Sequence, residues 1–282
     1  MTSNPNIVHL DAPYAESGFG FYAGPSVAFS QMHRHNELEL GVVQRGRVTA
    51  LFGQRRMVLP PNHLLMFWAA MPHGPVESAP QTHVYSIFVP MRWFLDWRLP
   101  AEVMHPLLAG EVLVDEPRRV PCTDVRLMQH WVERMREGSE SSRQLVLREI
   151  EARLWRLALD RKPEKPFRPS VAPAGDLPAF ERMALLIAKH CREPLSVEDI
   201  AEAVDLDPAY AMRLFRKVTG TTLHQYLIQH RVSHAQRLLA TTDLDMLAVA
   251  EQSGFAAPSR FFEQFRRVVG HTPAAYRASL RK

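Results

Sequence analysis

The chain has 282 residues, of which 46% are hydrophobic and 23% are charged. This composition supports ordinary folded domains and excludes a disordered or fibrous protein, and the length fits two domains. The formal net charge of +4 is too small to indicate a nucleic-acid partner unless the charges are unevenly distributed along the chain.

The sequence does not predict a membrane or secreted protein. The longest apolar run, Leu64 to Met71, is too short to span a bilayer. Residues 1–13 lack the basic and apolar stretches of a secretion signal. The two cysteines, Cys122 and Cys191, do not form a metal-binding or redox motif. We therefore expect a cytoplasmic protein with buried thiols.

Residues 1–122 are predicted to form a β-domain. Short apolar segments alternate with turns that contain glycine or proline, and the predicted strands are 37–43, 48–52, 55–59, 64–68 and 84–89. Several short strands at this spacing are typical of a sandwich or small barrel. Residues 1–25 carry Phe19 and Phe21, and they form either a first strand or an arm that covers the barrel.

A group of histidines lies within the predicted barrel. His33, His35 and Glu39 precede a glycine turn, and His73 follows a later turn. The pattern resembles the two motifs of the cupin fold, although residues 61–63 replace the glycines of the second turn. Three imidazoles and one carboxylate suit a divalent transition metal. The same side chains can instead line a small-molecule site or only stabilise the fold.

Tryptophans follow the predicted barrel strands at Trp68, Trp93 and Trp97. Their rings can stack on the face of a sugar, or they can form part of an ordinary aromatic core. The sequence is compatible with both roles.

Residues 123–160 return to helical spacing and are predicted to form a helical segment. Its apolar positions are Val125, Met128, Trp131, Val132 and Met135, followed by Leu147, Ile150, Leu154 and Leu157. The second stripe is too short to establish a coiled coil. The helices therefore form either a dimer interface or a pair packed on the barrel.

Residues 161–178 are predicted to form a linker. They contain five prolines in 18 residues, which excludes a continuous helix and favours an extended, semi-rigid segment. We expect this linker to separate the barrel from a C-terminal domain, residues 179–282, without a shared core.

The C-terminal domain contains one pattern twice, with an offset of about 50 residues. The first copy consists of Ile200-Ala201-Glu202, Leu206, Phe215-Arg216-Lys217-Val218, Gly220 and Tyr226. The second copy consists of Val249-Ala250-Glu251, Phe255, Phe265-Arg266-Arg267-Val268, Gly270 and Tyr276. Each copy predicts a short helix, a tight turn and a second helix, which is the helix-turn-helix unit.

Local signals mark the ends of these helices. Ser196 followed by Asp199 predicts a capping box. Asp207 followed by Pro208 predicts the start of the second helix. In the second copy, Gly254 predicts the turn.

The charges of the first copy are separated along the chain. Five acidic residues and no basic residue lie between Glu198 and Asp207, whereas five basic residues and no acidic residue lie between Pro208 and Arg237. Such a separation is expected where one face of a domain meets phosphate groups. The outward-facing residues of the two second helices are Ala209, Tyr210, Met212, Arg213, Arg216 and Lys217, then Ser259, Arg260, Phe262, Glu263, Arg266 and Arg267.

This doubled unit resembles the AraC/XylS-type family of transcriptional regulators. The matching positions are Ile200-Ala201 through Gly220, Arg231, Ala235, Leu238-Leu239, Gly254-Phe255, Phe261 through Phe265, Gly270, Thr272-Pro273 and Tyr276. The whole chain looks most similar to the branch of melibiose-operon regulators. That likeness rests on Phe67-Trp68-Ala69, Pro72-His73, Tyr210-Ala211-Met212 and Ser259-Arg260-Phe261.

The resemblance implies an α+β multidomain protein: an N-terminal cupin-like β jelly roll or barrel with trailing helices, then an all-α double helix-turn-helix DNA-binding domain. It implies double-stranded DNA and RNA polymerase as partners, dimerisation through residues 123–160, and activation of a catabolic operon. It also implies an effector bound in the barrel without a metal or other cofactor. We expect a sugar-like effector at His33, His35, Glu39, His73 and Trp68.

The expected DNA contacts divide into two groups. The phosphate contacts are Arg216, Lys217, Arg266 and Arg267. The base-edge contacts are Arg213, Ser259, Arg260 and Glu263. The resemblance adds Ala209 and Met212, which are apolar here and would meet thymine methyl groups, and Tyr210 lies between them. Two such helices about 34 Å apart can enter successive major grooves.

Two other functions remain as alternatives. The first is a metal-dependent cupin enzyme, an oxygenase or isomerase, that carries a DNA-binding tail. It would need bound metal at the histidine group together with turnover. The second is a helical bundle for protein interaction, which would show no preference for any DNA sequence. We favour a regulator that is not an enzyme.

Overall fold

The computed structural model describes residues 7–9, 19–26, 32–53, 55–115, 123–160 and 178–280. In the N-terminal half it contains the strands β1 (Ile7–His9), β2 (Gly20–Pro25), β3 (Leu38–Arg45), β4 (Val48–Phe52), β5 (Arg55–Leu59), β6 (Leu64–Trp68), β7 (His73–Ser78), β8 (His83–Val89) and β9 (Leu113–Asp115). The larger sheet has the order β1-β2-β8-β3-β6-β9 and the smaller one the order β5-β4-β7. All described pairings are antiparallel.

This arrangement confirms the expected antiparallel β-domain and the five strands predicted between residues 37 and 89. Phe19 and Phe21 are buried beside and within β2, so this segment forms a strand of the large sheet. The sequence did not predict β7 or β9. Cys122 and the linker prolines at 163–173 lie outside the described residues.

Strand β6 is buried on both faces. Leu64, Met66 and Trp68 pack in one apolar cluster with the helices that cover the large sheet. Leu65 and Phe67 alternate with them and pack in a second cluster inside the barrel. Because neither face meets water, the strand appears in the sequence as a continuous apolar run and not as an alternating pattern.

Four helices follow the barrel strands: α1 (Met91–Asp96), α2 (Ala101–Leu108), α3 (Thr123–Arg136) and α4 (Glu140–Asp160). The apolar stripe predicted on α3 is buried in the same cluster as Trp68, and so are Ile150 and Leu154 of α4. Arg153 of α4 forms a bidentate pair with Asp124 of α3, with N···O distances of 2.7 and 2.9 Å. The inner faces of the two helices therefore pack as a pair on the barrel, and the exposed face of α4 is not part of this packing.

The C-terminal half is all-helical, as predicted. Its helices are α5 (Ala179–His190), α6 (Val197–Glu202), α7 (Pro208–Thr219), α8 (Leu223–Thr241), α9 (Met246–Gln252), α10 (Pro258–Val269) and α11 (Pro273–Leu280). Helices α6 and α7 form the first helix-turn-helix unit, and α9 and α10 form the second. The long helix α8 contributes buried residues to the apolar clusters of both units, and so it couples them.

The expectation that the two domains share no core was wrong. Met32, Leu51 and Val76 of the barrel pack in one buried cluster with Phe180 and Met183 of α5. At the edge of this cluster, Arg56 Nε donates to Glu181 Oε2 at 2.8 Å. No helix in the described parts of the chain is both long enough and apolar enough to cross a membrane.

Candidate DNA-binding and effector sites

The first helix-turn-helix unit is fixed by its capping residues. Ser196 Oγ accepts a hydrogen bond from the Asp199 backbone N–H at 3.1 Å, and Asp199 Oδ2 accepts one from the Ser196 N–H at 2.8 Å. This confirms the predicted capping box. Asp207 Oδ1 accepts from the Tyr210 N–H at 3.0 Å with Pro208 in the first turn, which confirms the predicted start of α7.

The second unit turns at a glycine. Gly254 has a φ of 79°, and a Cβ atom at this position would lie 2.7 Å from Arg192 Cα and 2.8 Å from the Cys191 carbonyl oxygen. Only glycine combines the left-handed backbone with this close approach. The predicted turn is confirmed, and the packing against Cys191 and Arg192 fixes how α9 lies on the end of α5.

The predicted DNA contacts all lie on the exposed faces of α7 and α10. The opposite faces bury Ala211 and Phe215 of α7 and Phe261 and Phe265 of α10. The exposed positions are Ala209, Tyr210, Met212, Arg213, Arg216, Lys217, Ser259, Arg260, Glu263, Arg266 and Arg267. Each helix therefore presents its first turns and a basic last turn to the outside.

One exposed apolar residue occupies the same place in each copy. Met212 is 45% exposed and Phe262, its counterpart in the repeat, is 40% exposed. The sequence placed Phe262 on the outward face but gave it no role. Its equivalence with Met212 is the signal that would have assigned it, because the repeat places both side chains at the same position on an outward-facing helix.

Two base-edge candidates are close to each other on α10. Arg260 Nη1 lies 3.8 Å from Glu263 Oε2, and their side chains are 73% and 60% exposed. An exposed pair of this kind contributes little to stability. Both side chains therefore stay available for another partner.

A cavity of about 240 Å³ lies between the two sheets of the barrel. Most of its wall is apolar and includes Val48, Phe52 and Leu65. A polar group of His33, Glu39 and His73 also lines it. A mostly apolar cavity with a few converging polar groups is typical of a site for a small ligand.

The histidine group predicted from the sequence is assembled in the structure. One ligand atom from each of His33, His35, Glu39 and His73 lies within 4.8 Å of every other. His35 Nε2 is 3.2 Å and His73 Nε2 is 3.3 Å from Glu39 Oε2. Strand β3 supplies Glu39, and a bridge between His33 and His73 joins the segment before β3 to the start of β7.

The charges of this group are strongly coupled. Burial raises the pKa of Glu39, but its interactions with His35 and His73 outweigh this effect and hold the pKa well below its usual value. Burial lowers the pKa of His35, but hydrogen bonds to Glu37 and Glu39 raise it to about 9. In the absence of any other cation, His35 is therefore an imidazolium between two carboxylates at neutral pH.

Trp68 does not lie at the cavity. Its side chain is 1% exposed and packs in the cluster beneath the covering helices, on the opposite face of β6 from Phe67. Trp93 packs against Phe19 and Trp97 packs against Phe94, with ring centroids 5.6 and 6.4 Å apart. These tryptophans belong to the aromatic core, so the expectation that Trp68 lines the effector site was wrong.

The segment 33–39 also contacts the C-terminal domain. Asn36 Oδ1 accepts hydrogen bonds from Gln236 Nε2 at 2.7 Å and from the Tyr276 hydroxyl at 2.8 Å. Arg34 is hydrogen-bonded to Gln236, and its Nε donates to the Ala70 carbonyl at 2.8 Å. His35, which lies between these two anchors, belongs to the histidine group, and so does His33, which precedes Arg34.

Protein-family models match both halves of the chain. An AraC-like ligand binding domain matches residues 17–158, and a helix-turn-helix domain matches residues 200–279. The first match covers the barrel from β2 onwards together with the helices α1 to α4, and the second covers both helix-turn-helix units.

Known proteins are similar to this chain either over most of its length or over about a third of it. The chain is 28% identical over 253 residues to the melibiose operon regulatory protein of Escherichia coli strain K12, which covers 87% of this chain and 82% of that protein. It is 32% identical over 108 residues to the HTH-type transcriptional activator RhaR of Salmonella schwarzengrund, covering 36% and 38%. The solved DNA-binding domain of AdpA, in complex with a target DNA, is 37% identical, with a TM-score of 0.35, and covers 36% of this chain and 93% of that one.

Proposed function

The chain belongs to the AraC family of DNA-binding transcriptional regulators, and we propose that it activates transcription when a small effector occupies the barrel cavity. The observation that carries the proposal is the pair of exposed helix faces on α7 and α10, joined by α8 within one domain. A regulator needs this rigid coupling because both helices must enter the duplex in a fixed register.

We assign the side chains of α7 and α10 by their position along each helix. Recognition helices contact base edges with their first turns, which here carry Arg213, Arg260 and Glu263. The last turns carry Arg216, Lys217, Arg266 and Arg267, and we assign these to the phosphates. Ala209, Met212 and Phe262 offer apolar contact to thymine methyl groups, and Tyr210 and Ser259 lie beside them.

The effector is a small molecule with an apolar part and at least one polar group. The apolar part fits the walls formed by Val48, Phe52 and Leu65, and the polar group fits the end formed by Glu39 and His73. The name of the melibiose operon relative supports a sugar. A thermal-shift titration of the full chain with mono- and disaccharides tests this. If no sugar raises Tm while small organic acids do, the proposal of a sugar is wrong, but the proposal of an effector in the cavity is supported.

The effector signal passes through the segment 33–39, in our proposal. His33 and Glu39 line the cavity and His35 contacts Glu39, while Arg34 and Asn36 hold the C-terminal domain. A ligand that binds more tightly to one arrangement of this segment shifts the population towards the matching arrangement of the two domains.

We also propose a homodimer formed through α4 and, from the family, contact with RNA polymerase. Leu145, Trp155 and Leu159 of α4 are 44%, 39% and 78% exposed. At about 100° per residue their side chains lie within one face of the helix, roughly 80° wide. A second copy of the same chain can cover this face in a symmetric interface.

Sequencing of genomic fragments that the full chain retains tests the proposed function. The expected result is one recurrent motif with two half-sites about 10 base pairs apart. The Arg213→Ala variant should change the motif at one position, whereas Arg126→Ala, an exposed arginine of α3, should leave it unchanged. Retained fragments without any shared motif would overturn the proposal. If the motif is found, the genes next to its sites indicate the class of effector.

A further inference from the structure

The histidine group has the ligand set of a metal centre, and its ligand atoms lie close together. Bonds from zinc to imidazole nitrogen or carboxylate oxygen are about 2.0–2.2 Å long, so two ligands of one ion lie at most about 4.2–4.4 Å apart. The ligand atoms of His33, His35, Glu39 and His73 lie within 4.8 Å of one another. A shift of about half an ångström among these side chains brings the ligand atoms within reach of one ion.

The other nitrogen of two of these rings is already held. His35 Nδ1 is 2.9 Å from Glu37 Oε2, and His73 Nδ1 is 2.9 Å from the Met71 carbonyl oxygen. When Nδ1 donates to such an acceptor, the Nε2 lone pair of a neutral ring is free and faces the group. Metal-bound histidines are oriented by this arrangement, a carboxylate or a carbonyl on the nitrogen opposite the metal.

His73 provides an independent indication. Its ring is buried, and its Nε2 makes no hydrogen bond of acceptable geometry although Glu39 Oε2 lies 3.3 Å away. Buried ring nitrogens in folded proteins nearly always have a partner. An ion between the two groups would supply one.

We propose that His33, His35, Glu39 and His73 bind one divalent transition-metal ion at the polar end of the barrel cavity. The three imidazoles and one carboxylate suit Zn²⁺, Fe²⁺, Co²⁺ or Ni²⁺ better than Mg²⁺ or Ca²⁺, which take oxygen ligands. His33, Glu39 and His73 also line the cavity, so an ion held by the group would border the effector, and an ion that takes five or six ligands would have a position left for it. The effector is then a small molecule whose oxygen or nitrogen donor completes the coordination.

This inference deepens the proposed function and rests on it for the regulatory meaning of the site. The metal-free alternative keeps His35 protonated between Glu37 and Glu39, so that an ionic group closes that end of the cavity without any ion. The two arrangements predict different behaviour towards an added metal. Glu37 distinguishes them further, because it touches His35 but not the proposed ion.

Titration of the EDTA-treated full chain with Co²⁺ tests the site, with the visible d–d absorption and Tm as readouts. We expect one Co²⁺ per chain and a rise in Tm. His33→Ala, which removes an exposed ligand, should abolish the absorption of the bound ion. Glu37→Gln should weaken Co²⁺ binding about tenfold to a hundredfold while leaving the ligands in place.

The matched control is His190→Ala. His190 Nδ1 lies 3.0 Å from Glu193 Oε2, so this variant removes an exposed histidine–carboxylate pair outside the site, and Co²⁺ binding should be unchanged. Less than stoichiometric binding at millimolar Co²⁺, or equal binding by the wild type and His33→Ala, would overturn the inference. DNA binding of the metal-free chain is measured in parallel. If it persists while Co²⁺ binding fails, only the metal site is lost.

Discussion

Asn36 and Tyr276 lie 240 positions apart in the sequence, and the Tyr276 hydroxyl donates a hydrogen bond of 2.8 Å to Asn36 Oδ1. The residue before Asn36 is His35, whose ring belongs to the histidine group of the barrel. Tyr276 ends the second copy of the repeat and packs on Phe265 of α10, with ring centroids 5.7 Å apart. The barrel cavity and α10, the helix that we propose contacts DNA, are thus separated by only a few packed side chains.

This link predicts that Asn36 stabilises the contact between the domains. In Asn36→Ala, the buried Tyr276 hydroxyl and the Gln236 amide lose their acceptor, so the free energy of unfolding should fall by about 1–3 kcal/mol. Urea denaturation measures this change. In a double-mutant cycle with Tyr276→Phe, the two losses should not add, with a coupling energy of about 0.5 kcal/mol or more. Strict additivity would show that the bond contributes nothing in solution.

Substitutions on α7 should distinguish a contact to a base edge from a contact to a phosphate. Arg213→Ala should cost about 1–3 kcal/mol and relax the preference at one base position, whereas Lys217→Ala should weaken binding to all sequences alike and reduce the salt dependence. Binding of a library with single base changes, measured at two salt concentrations, checks both. If the Arg213→Ala profile is merely scaled down, its assignment to a base edge is wrong.

The exposed apolar residues can be tested by removing a single methyl group from the DNA. If Met212 contacts a thymine methyl, replacement of that thymine by uracil should weaken wild-type binding by roughly 1 kcal/mol. The same replacement should have no effect on the Met212→Ala variant. Phe262→Ala should behave in the same way at a thymine of the other half-site. Equal uracil effects in wild type and variant would exclude the contact.

Much of the C-terminal domain was predictable because its signals are local. The cap of Asp207, the turn at Gly254 and the buried spacing of Phe215 and Phe265 each depend on residues within a few positions of one another. The doubled pattern then placed the outward faces by simple counting. What the sequence could not provide is the contact of Asn36 with Gln236 and Tyr276, since nothing in the composition of either segment selects that partner.

The barrel was predicted less completely, for two physical reasons. Strand β7 begins with His73, Gly74 and Pro75, which is typical of a turn. Because β7 lies at the edge of the small sheet, the missing N–H of Pro75 is tolerated. Trp68 was misplaced because β6 is apolar on both faces, and a run without alternation does not show which residues point into the cavity.

Acid should destabilise the protein through α8. Burial, helped by the charges of Arg237 and Arg34, lowers the pKa of His230 to about 3, against about 6.5 in an unfolded chain. Between these values the unfolded state binds the extra proton, so stability is fully present above about pH 6.5 and falls with decreasing pH by up to about 1.4 kcal/mol per unit. Urea denaturation at pH 7 and pH 5 measures the loss. It should be smaller in His230→Leu, while the exposed His271→Gln should match the wild type.

The proposed dimer requires that the exposed face of α4 is buried between two chains. Leu159 is 78% exposed in the single chain, and burying such a side chain contributes roughly 1.5–3 kcal/mol. Because a symmetric interface contains the residue twice, Leu159→Glu should raise the dimer Kd by at least about a hundredfold. The control is Leu247→Glu, which alters an equally apolar residue, 61% exposed, on α9. Sedimentation equilibrium should show dimers for the wild type and for Leu247→Glu, and monomers for Leu159→Glu. A wild-type chain that stays monomeric at micromolar concentration, or a dimer that the α9 variant disrupts instead, would remove α4 as the interface.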